Sequence, residues 1–372
     1  MKRIFMKQKL ITICLSLLFT AAMPVGVVKA TGVWWDYTGE SGWNIASDWI
    51  GGGVPGSSDN AYIDNGGTAV IHSGYNAQAA SLELGNDIFQ TGHVKLTSGS
   101  LSTSYEYIGD YGTGTLTHSG GTNIVSGTLG VGWNGGFDGF VYHRSSGTYN
   151  LSGTGTVSAA NEYVGNSGIG TFNQTGGTNT VSDSLYIGHN ASLFQHPGGS
   201  GTYNQSSGTN TVSNRLYLGT QSGASGTYNL SGSSDVSANI FYFGNEGTGE
   251  FNQSGTSTAT TNELWLGYYS GGNATYNLSE TGSLSATDET IGRSGTGTFN
   301  QTGGTNTVTN MHLGENAGSN GTYNLSGGTN TVTNDLTIGQ NSGSSGIYTI
   351  SGGMLDVTGS IVDGAGNSTL YN

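Results

Sequence analysis

Residues 296–318 read TGTFNQTGGTNTVTNMHLGENAG, and residues 320–343 repeat the same phrases as NGTYNLSGGTNTVTNDLTIGQNSG. Each copy contains an aromatic residue before Asn, a Thr-Asn-Thr-Val phrase, and a phrase related to Leu-x-(Ile/Leu)-Gly. The aromatic residue recurs every 23 to 31 positions from Tyr149 to Tyr348, and the closing Gly recurs from Gly85 to Gly339. Self-similarity at this period indicates an array of stacked structural repeats.

Each repeat holds three short runs rich in Thr, Tyr, Val and Ile, separated by Gly, Asn and Ser. These are strand and turn compositions, and 68 Gly in 372 residues oppose helix formation. We therefore predict an all-β parallel β-helix (solenoid) of about 11–12 coils, with three short strands in each coil of about 24 residues. A β-propeller, whose blade length approaches two repeats, is the alternative fold.

One slot of the repeat alternates along the chain. Tyr-Asn-Leu units at Tyr228 and Tyr276 alternate with Phe-Asn-Gln units at Phe251 and Phe299, which indicates a unit of two coils. Because equivalent residues stack in a solenoid, the Asn after each aromatic residue is predicted to bond to its equivalent in the next coil. The members of this predicted ladder are Asn150, Asn173, Asn204, Asn229, Asn252, Asn277, Asn300 and Asn324.

Two segments resemble known exported proteins. They are Gly-Thr-Tyr-Asn-Leu-Ser-Gly-Gly-Thr at 321–329 and Trp43-Asn44-x-Ala46-x-x-Trp49-x-x-Gly52-x-x-Pro55. They are similar to repeats of bacterial exported β-solenoid surface proteins, namely autotransporter passengers, haemagglutinin-like adhesins and pectin-lyase-like β-helices. The resemblance spans nearly all of residues 34–360. It implies a secreted or cell-surface protein with adhesin-like or extracellular-matrix structural work.

The first 30 residues have the anatomy of a secretory signal peptide. Lys2, Arg3, Lys7 and Lys9 precede an apolar stretch, 11–23, that is too short to span a bilayer. The protein is therefore expected to be secreted or extracellular, at the cell surface or associated with the outer membrane, without stable membrane insertion. The single cysteine, Cys14, lies in this segment, so no disulfide is expected in the exported chain.

Beyond residue 30 the chain has four basic residues against 23 acidic ones. This balance excludes nucleic-acid binding through an electropositive face. It is also expected to keep rods apart by mutual repulsion. Four tryptophans, Trp34, Trp35, Trp43 and Trp49, lie in the segment 31–65, which is predicted to cap the open end of the solenoid over 66–372. A carbohydrate-stacking platform is the alternative role for these tryptophans.

Two repeats carry insertions, at 134–144 and 191–200, and both follow the closing Gly of a repeat. The repeats are two coils apart, so the two loops are expected to emerge roughly 10 Å from one another. Insertions at one edge of a solenoid are often its binding face, and aromatic rings with a few donors suit a surface glycan or a protein. The candidate ligand-binding residues are Trp133, Phe137, Phe140, Tyr142, His143, Arg144, His189, Phe194 and His196.

The sequence offers no clear catalytic set, and no catalytic residue, cofactor or metal is predicted. Acidic residues recur once per coil before the Leu-x-Ile-Gly phrase and are expected to form a solvated edge: Glu162, Asp183, Glu263, Glu289 and Asp335. A secreted polysaccharide lyase or hydrolase is the alternative function. A third is ice binding, because Thr178 and Thr180 are predicted to point outward from a strand that points Asn179 and Val181 inward. Similar Thr pairs would then form rows along the rod.

Overall fold

The computed structural model, which describes residues 31–51, 53–190 and 198–372, is an all-β parallel β-helix of about 13 turns with 64% strand. The predicted fold class is confirmed. The predicted signal peptide, 1–30, lies outside the described residues.

The first half of the chain contains a short 3-10 helix, Ala46–Asp48, and strands that are mostly separated by turns. The strands of this half are β1 (Gly32–Trp35), β2 (Glu40–Gly42), β3 (Trp49–Ile50), β4 (Asn60–Ile63), β5 (Asn65–Ile71), β6 (Asn76–Leu84), β7 (Thr91–Leu96), β8 (Ser100–Ile108), β9 (Thr113–His118), β10 (Thr122–Val131), β11 (Gly135–Phe137), β12 (Tyr142–Arg144), β13 (Ser146–Leu151), β14 (Thr156–Val164), β15 (Ile169–Val181) and β16 (Ser184–Ile187). The strands of the second half are β17 (Ser200–Leu218), β18 (Ser225–Leu230), β19 (Asp235–Phe243), β20 (Thr248–Gln253), β21 (Thr258–Leu266), β22 (Asn273–Leu278), β23 (Ser283–Ile291), β24 (Thr296–Leu313), β25 (Asn320–Val332), β26 (Leu336–Ile338), β27 (Ser345–Ile350), β28 (Met354–Val357), β29 (Ile361–Asp363) and β30 (Asn367–Tyr371).

Successive coils pair in parallel and form three faces. Face A contains the Gly-Thr-Tyr-Asn-Leu strands, such as β13 and β18. Face B contains the Thr-Asn-Thr-Val segments, such as 178–181, and face C contains the Leu-x-Ile strands, such as β16. The long strand β17 runs through two corners and supplies all three faces.

The coil count exceeds the expected 11–12 because stacking begins before residue 66. Strands β1 and β4 already pair on face C, and β2 pairs with β5 on face A. The predicted cap segment, 31–65, therefore contributes strands to the solenoid. In this segment Trp35, Trp43 and Trp49 are buried and pack edge to face, whereas Trp34 is 43% exposed and stacks on Tyr62.

Aromatic rings stack along the inside of face A. Each ring from Tyr149 to Tyr348 lies 4.5–5.0 Å, centroid to centroid, from the ring of the next coil. Each stacked pair adds about 0.5–1.5 kcal/mol to the stabilisation from burial. The register is kept from coil to coil, so the stack is continuous from Tyr149 to Tyr348, and Leu116 and Val94 occupy the same slot in the two preceding coils.

Glycine is required where the chain leaves face C. Gly165 has φ 74°, which disfavours other residues, and a Cβ there would lie 2.0 Å from the carbonyl oxygen of Ser200 in the next coil. The recurring Gly is therefore the residue that allows coils to stack closely at this corner.

The Tyr/Phe alternation has its cause in a buried hydrogen bond. Tyr228, Tyr276 and Tyr323 donate their hydroxyls to the Oε1 atoms of glutamines one coil earlier, at 2.5–2.6 Å. Phe has no hydroxyl to donate, and the coil before a Phe carries Leu in place of this glutamine, as Leu278 precedes Phe299. Leu325 before Tyr348 is an exception, and there the Tyr348 hydroxyl accepts a hydrogen bond from Asn330 at 2.9 Å. The combination of Gln with Tyr, and of Leu with Phe, follows from the need to satisfy buried polar atoms.

Candidate functional site

Both insertions lie at the corner where the chain passes from face C to the next face A strand, which we call the C/A corner. The first insertion forms a two-stranded antiparallel hairpin of β11 and β12, with Phe137 opposite Tyr142 and Gly136 opposite His143. In the second insertion the described residues stop at 190 and resume at 198, so the candidate residues Phe194 and His196 lie outside the described residues.

The tip of the hairpin is held by Asp138. Its carboxylate accepts hydrogen bonds from the backbone N–H groups of Val141 and Phe140 at 2.8 and 2.9 Å, and its Oδ2 lies 2.9 Å from Nε2 of His143. The Val141 N–H, the His143 ring and the Phe140 N–H together lower the pKa of Asp138 to about 2. The turn is therefore fixed at neutral pH although it projects into solvent.

The hairpin presents phenyl rings to solvent. Phe140 is 92% exposed and Phe137 is 59% exposed. A third ring, Phe89, is 76% exposed; it belongs to an earlier C/A corner and lies 4.7 Å, edge to face, from His143. Phe137 lies on the face of the hairpin opposite the one that carries His143 and contacts Phe89, because neighbouring residues of a strand alternate between faces. We call the exposed side chains of Phe89, Phe137, Phe140 and Val141 together the hairpin patch.

Phe89 adopts a left-handed backbone conformation, with φ 67°. This conformation is rare for a bulky residue and costs about 1–3 kcal/mol. Sequence reasoning missed this residue because its corner has no long insertion. The available signal was composition, since Ile88 and Phe89 stand where other corners carry Gly, Ser or Asn.

Arg144 fixes the base of the hairpin. Its Nη2 donates to the carbonyl oxygens of Gly168, at 2.8 Å, and Gly198, at 2.9 Å. Gly198 belongs to the second insertion, so the Arg144 side chain joins the bases of the two loops directly. The face A strands that follow the two loops, β13 and β17, are two coils apart, as predicted. Arg144 is thus a positioning residue, and Tyr142 packs across Gly135 within the hairpin.

Trp133 and His189 belong to a different surface, on the outside of face C. The Trp133 indole lies over Gly130, with ring centroids 5.0 Å from Tyr107 and 5.2 Å from Tyr163. His189 lies edge-on against Tyr163 and Tyr186, at 5.0 and 4.8 Å. The seven candidate residues that the structure describes therefore belong to two surfaces, the hairpin and the outside of face C.

The rings that Trp133 and His189 contact belong to a half-buried line of aromatic side chains along the rod, which we call the face C aromatic row. With Trp133 and His189, its members are Tyr107, Tyr163, Tyr186, Tyr217, Tyr242 and Trp265. At one end Arg293 lies over the rings of Trp265 and Tyr268, at 5.0 and 4.3 Å. Burial raises the pKa of Tyr217 to about 12, so its hydroxyl remains a hydrogen-bond donor at neutral pH.

The prediction that five acidic residues form a solvated edge is wrong for two of them. Glu162 and Glu289 are completely buried, because each occupies the inward slot that Leu185 fills in another coil. Their carboxylates accept hydrogen bonds from buried asparagines, Glu162 from Asn179 at 2.8 Å and Glu289 from Asn306 at 3.0 Å. Neither carboxylate can reach a polysaccharide bound at the surface.

Within the described ranges, no group of three or more His, Cys, Asp or Glu side chains has an arrangement able to hold a metal ion. None of the helices described here combines the length and apolarity needed to cross a membrane. No protein-family model, curated protein or solved structure matches the chain.

Proposed function

We propose that the protein is a secreted or cell-surface, non-catalytic β-solenoid that binds glycan or protein, as an adhesin or extracellular-matrix component would. The hairpin patch at the C/A corner is the binding surface, and the face C aromatic row beside it extends the contact. The observation that supports this most strongly is the exposure of Phe137 and Phe140 on a hairpin whose base is fixed by Arg144, with Phe89 exposed at a neighbouring corner. Large exposed apolar patches on soluble proteins mark interaction sites.

A neutral glycan fits this surface better than an acidic one. The chain beyond residue 30 has 23 acidic residues against four basic ones, so a polyanion is repelled. Phenyl rings offer apolar contact to the C–H faces of sugars, and the tyrosine hydroxyls of the row offer hydrogen bonds. A protein with an exposed apolar segment is the alternative ligand for the hairpin patch.

The test compares the full chain with a variant lacking residues 135–144. This deletion leaves Trp133, Asn134 and Ser145 between Gly132 and Ser146, which is the length of the natural corner 166–168. We expect the deletion to abolish binding on a glycan array or to immobilised proteins, while the circular dichroism spectrum is retained. Tyr269→Ser, at another C/A corner, is the matched control. Undiminished binding by the deletion variant would refute the assignment of the site.

Ice binding is a second candidate, and one observation favours it. The outward Thr and Ser side chains of face B stand in register from coil to coil, as Thr178 pairs with Thr209 and Thr180 with Thr211. Between residues 100 and 331 the exceptions in these two rows are Ile124 and Asp235. Thermal hysteresis in a solution of the protein, lost in Thr180→Lys/Thr211→Lys, would support this function, and its absence would exclude it.

A further inference from the structure

The acidic residues are distributed unevenly over the solenoid, and face A is nearly free of them. From β9 to β25, each face A strand points three side chains outward. Every one of these side chains is Thr, Ser or Asn, apart from Ile169 and Glu250. In a chain with so large an excess of acids, the outward side chains of face A from β9 to β25 therefore include one charged group, Glu250.

The predicted asparagine ladder runs along the middle of this face and is unbroken. Each Nδ2 donates to the Oδ1 of the asparagine one coil earlier, at 2.7–3.0 Å, from Asn150 to Asn324. Each amide thus has one further N–H and one further oxygen lone pair. The face consequently presents donors and acceptors that alternate with the coil spacing of about 4.8 Å.

We propose that face A is a self-association surface on which a second copy of this chain packs with its own face A. A second copy has the same spacing of donors and acceptors along its whole length, so every coil in the contact can be matched, as in paired sheets of identical segments. Packing through this face also keeps the acidic side chains of the other faces of the two copies apart. The mutual repulsion expected from the net charge is therefore weaker for contact through face A than for contact between acidic surfaces, because salt screens charges that are further apart.

The area of the face fits a stable dimer. Eight coil spacings of about 4.8 Å and a strand width of five residues at about 3.3 Å give a contact of roughly 600–700 Å² on each copy. The total of roughly 1,200–1,400 Å² lies within the range of specific protein–protein interfaces. Glu250 is the unfavourable element, since association would take its carboxylate out of water.

The test is sedimentation velocity of the full chain over a series of concentrations. We expect a reversible dimer whose dissociation constant rises at least about tenfold in Thr171→Glu/Thr298→Glu on face A. The fold tolerates Glu in that row, because Glu250 occupies the same slot. The matched control is Thr178→Glu/Thr305→Glu on face B, which adds the same charge in the row that contains Asp235 and should leave the dimer unchanged.

Glu250→Thr provides the opposite test, and we expect it to tighten the dimer about tenfold. If the full chain and Glu250→Thr are both monomeric at every concentration, the proposal is wrong. It is also wrong if the face B control dissociates the dimer as strongly as the face A variant, because charge repulsion would then be general. Depletion of the monomeric chain by an insoluble polysaccharide, lost in the face A variant, would assign the face to a glycan instead. Deletion of residues 135–144 should not change the dimer, so this outcome is separable from the hairpin proposal.

Discussion

The side-chain amide of Asn179 donates to Oε2 of Glu162 at 2.8 Å in the centre of the solenoid, where both side chains are completely buried. The pattern recurs where Asn123 donates to Glu106 and Asn306 to Glu289, each asparagine lying one coil after its glutamate. In each case the donor is a neutral amide rather than a cation. Burial consequently raises the pKa of all three glutamates to about 7, although the hydrogen bonds from asparagine lower it.

These three glutamates are predicted to make a contribution to the stability that is present at pH 5 and lost at pH 8. A carboxyl group with a raised pKa in the folded state holds its proton where the unfolded chain, with a pKa of about 4.5, has lost it. The free energy of unfolding therefore falls as the pH rises from about 5 through 7. Each glutamate contributes about 1–3 kcal/mol to this fall. Urea titrations at pH 5 and pH 8 measure this contribution as the difference between the wild type and Glu106→Gln/Glu162→Gln/Glu289→Gln. The comparison is needed because burial lowers the pKa values of His93, His118, His189 and His312, which raises the stability with pH in both proteins. The same pH dependence in both proteins would contradict the raised pKa values of the glutamates.

Glu289→Gln isolates one of these sites. The amide keeps the shape and the acceptor oxygen for Asn306 but carries no charge at any pH. We expect the variant to gain about 1–2 kcal/mol over the wild type at pH 8 and almost nothing at pH 5. Glu263→Gln, on the outward side of face C, is the matched control and should not alter the pH dependence. A gain at pH 5 as large as at pH 8 would show that charge is not the cause.

The hydrogen bonds between Tyr and Gln predict that substitutions of the two partners have coupled effects on the free energy of unfolding. Tyr323→Phe removes the hydroxyl that donates to Gln301 and leaves a buried acceptor unsatisfied, at a cost of about 1–3 kcal/mol. Adding Gln301→Leu recreates the natural combination of a Leu in one coil, as at Leu278, with a Phe in the next, as at Phe299, and should recover most of that loss. A double-mutant cycle from chemical denaturation gives the coupling energy. Strictly additive losses would contradict the proposed cause of the Tyr/Phe alternation.

Arg144→Met tests the anchoring of the two insertions. Methionine keeps most of the aliphatic stem but removes both bonds from Nη2 to the carbonyl oxygens of Gly168 and Gly198. We expect faster amide hydrogen exchange at residues 135–144 and 198–200 and weaker ligand binding, with unchanged exchange in the face A strands. Arg215→Met is the control for loss of a basic residue elsewhere. If exchange at the hairpin is unaffected, Arg144 does not position it.

Much of the fold could be predicted from the repeat itself. Period and composition indicated the parallel coils, and the two-residue alternation within a strand placed Asn179 and Val181 inside and Thr178 and Thr180 outside, as observed. The same rule could have placed Glu162 inside, since it occupies a Leu slot. Its charge nevertheless favours the surface, because charged side chains are seldom fully buried.

The site was harder to predict than the fold because its side chains leave from corners. A corner has no fixed periodicity, so spacing could not indicate that Trp133 folds back over Gly130 while Phe137 projects into solvent. Nor could it indicate that the hairpin lies against Phe89, which belongs to an earlier coil. Length variation between repeats located the insertions but not their contacts.

The most direct test of the binding site is a calorimetric titration of a glycan or protein ligand, selected on arrays, into the full chain and into Phe137→Ser/Phe140→Ser. The hairpin patch predicts a loss of affinity of at least tenfold, about 1.4 kcal/mol, in the variant. It also predicts an unchanged unfolding midpoint, since neither ring is buried. Equal affinity of the two proteins would contradict the account.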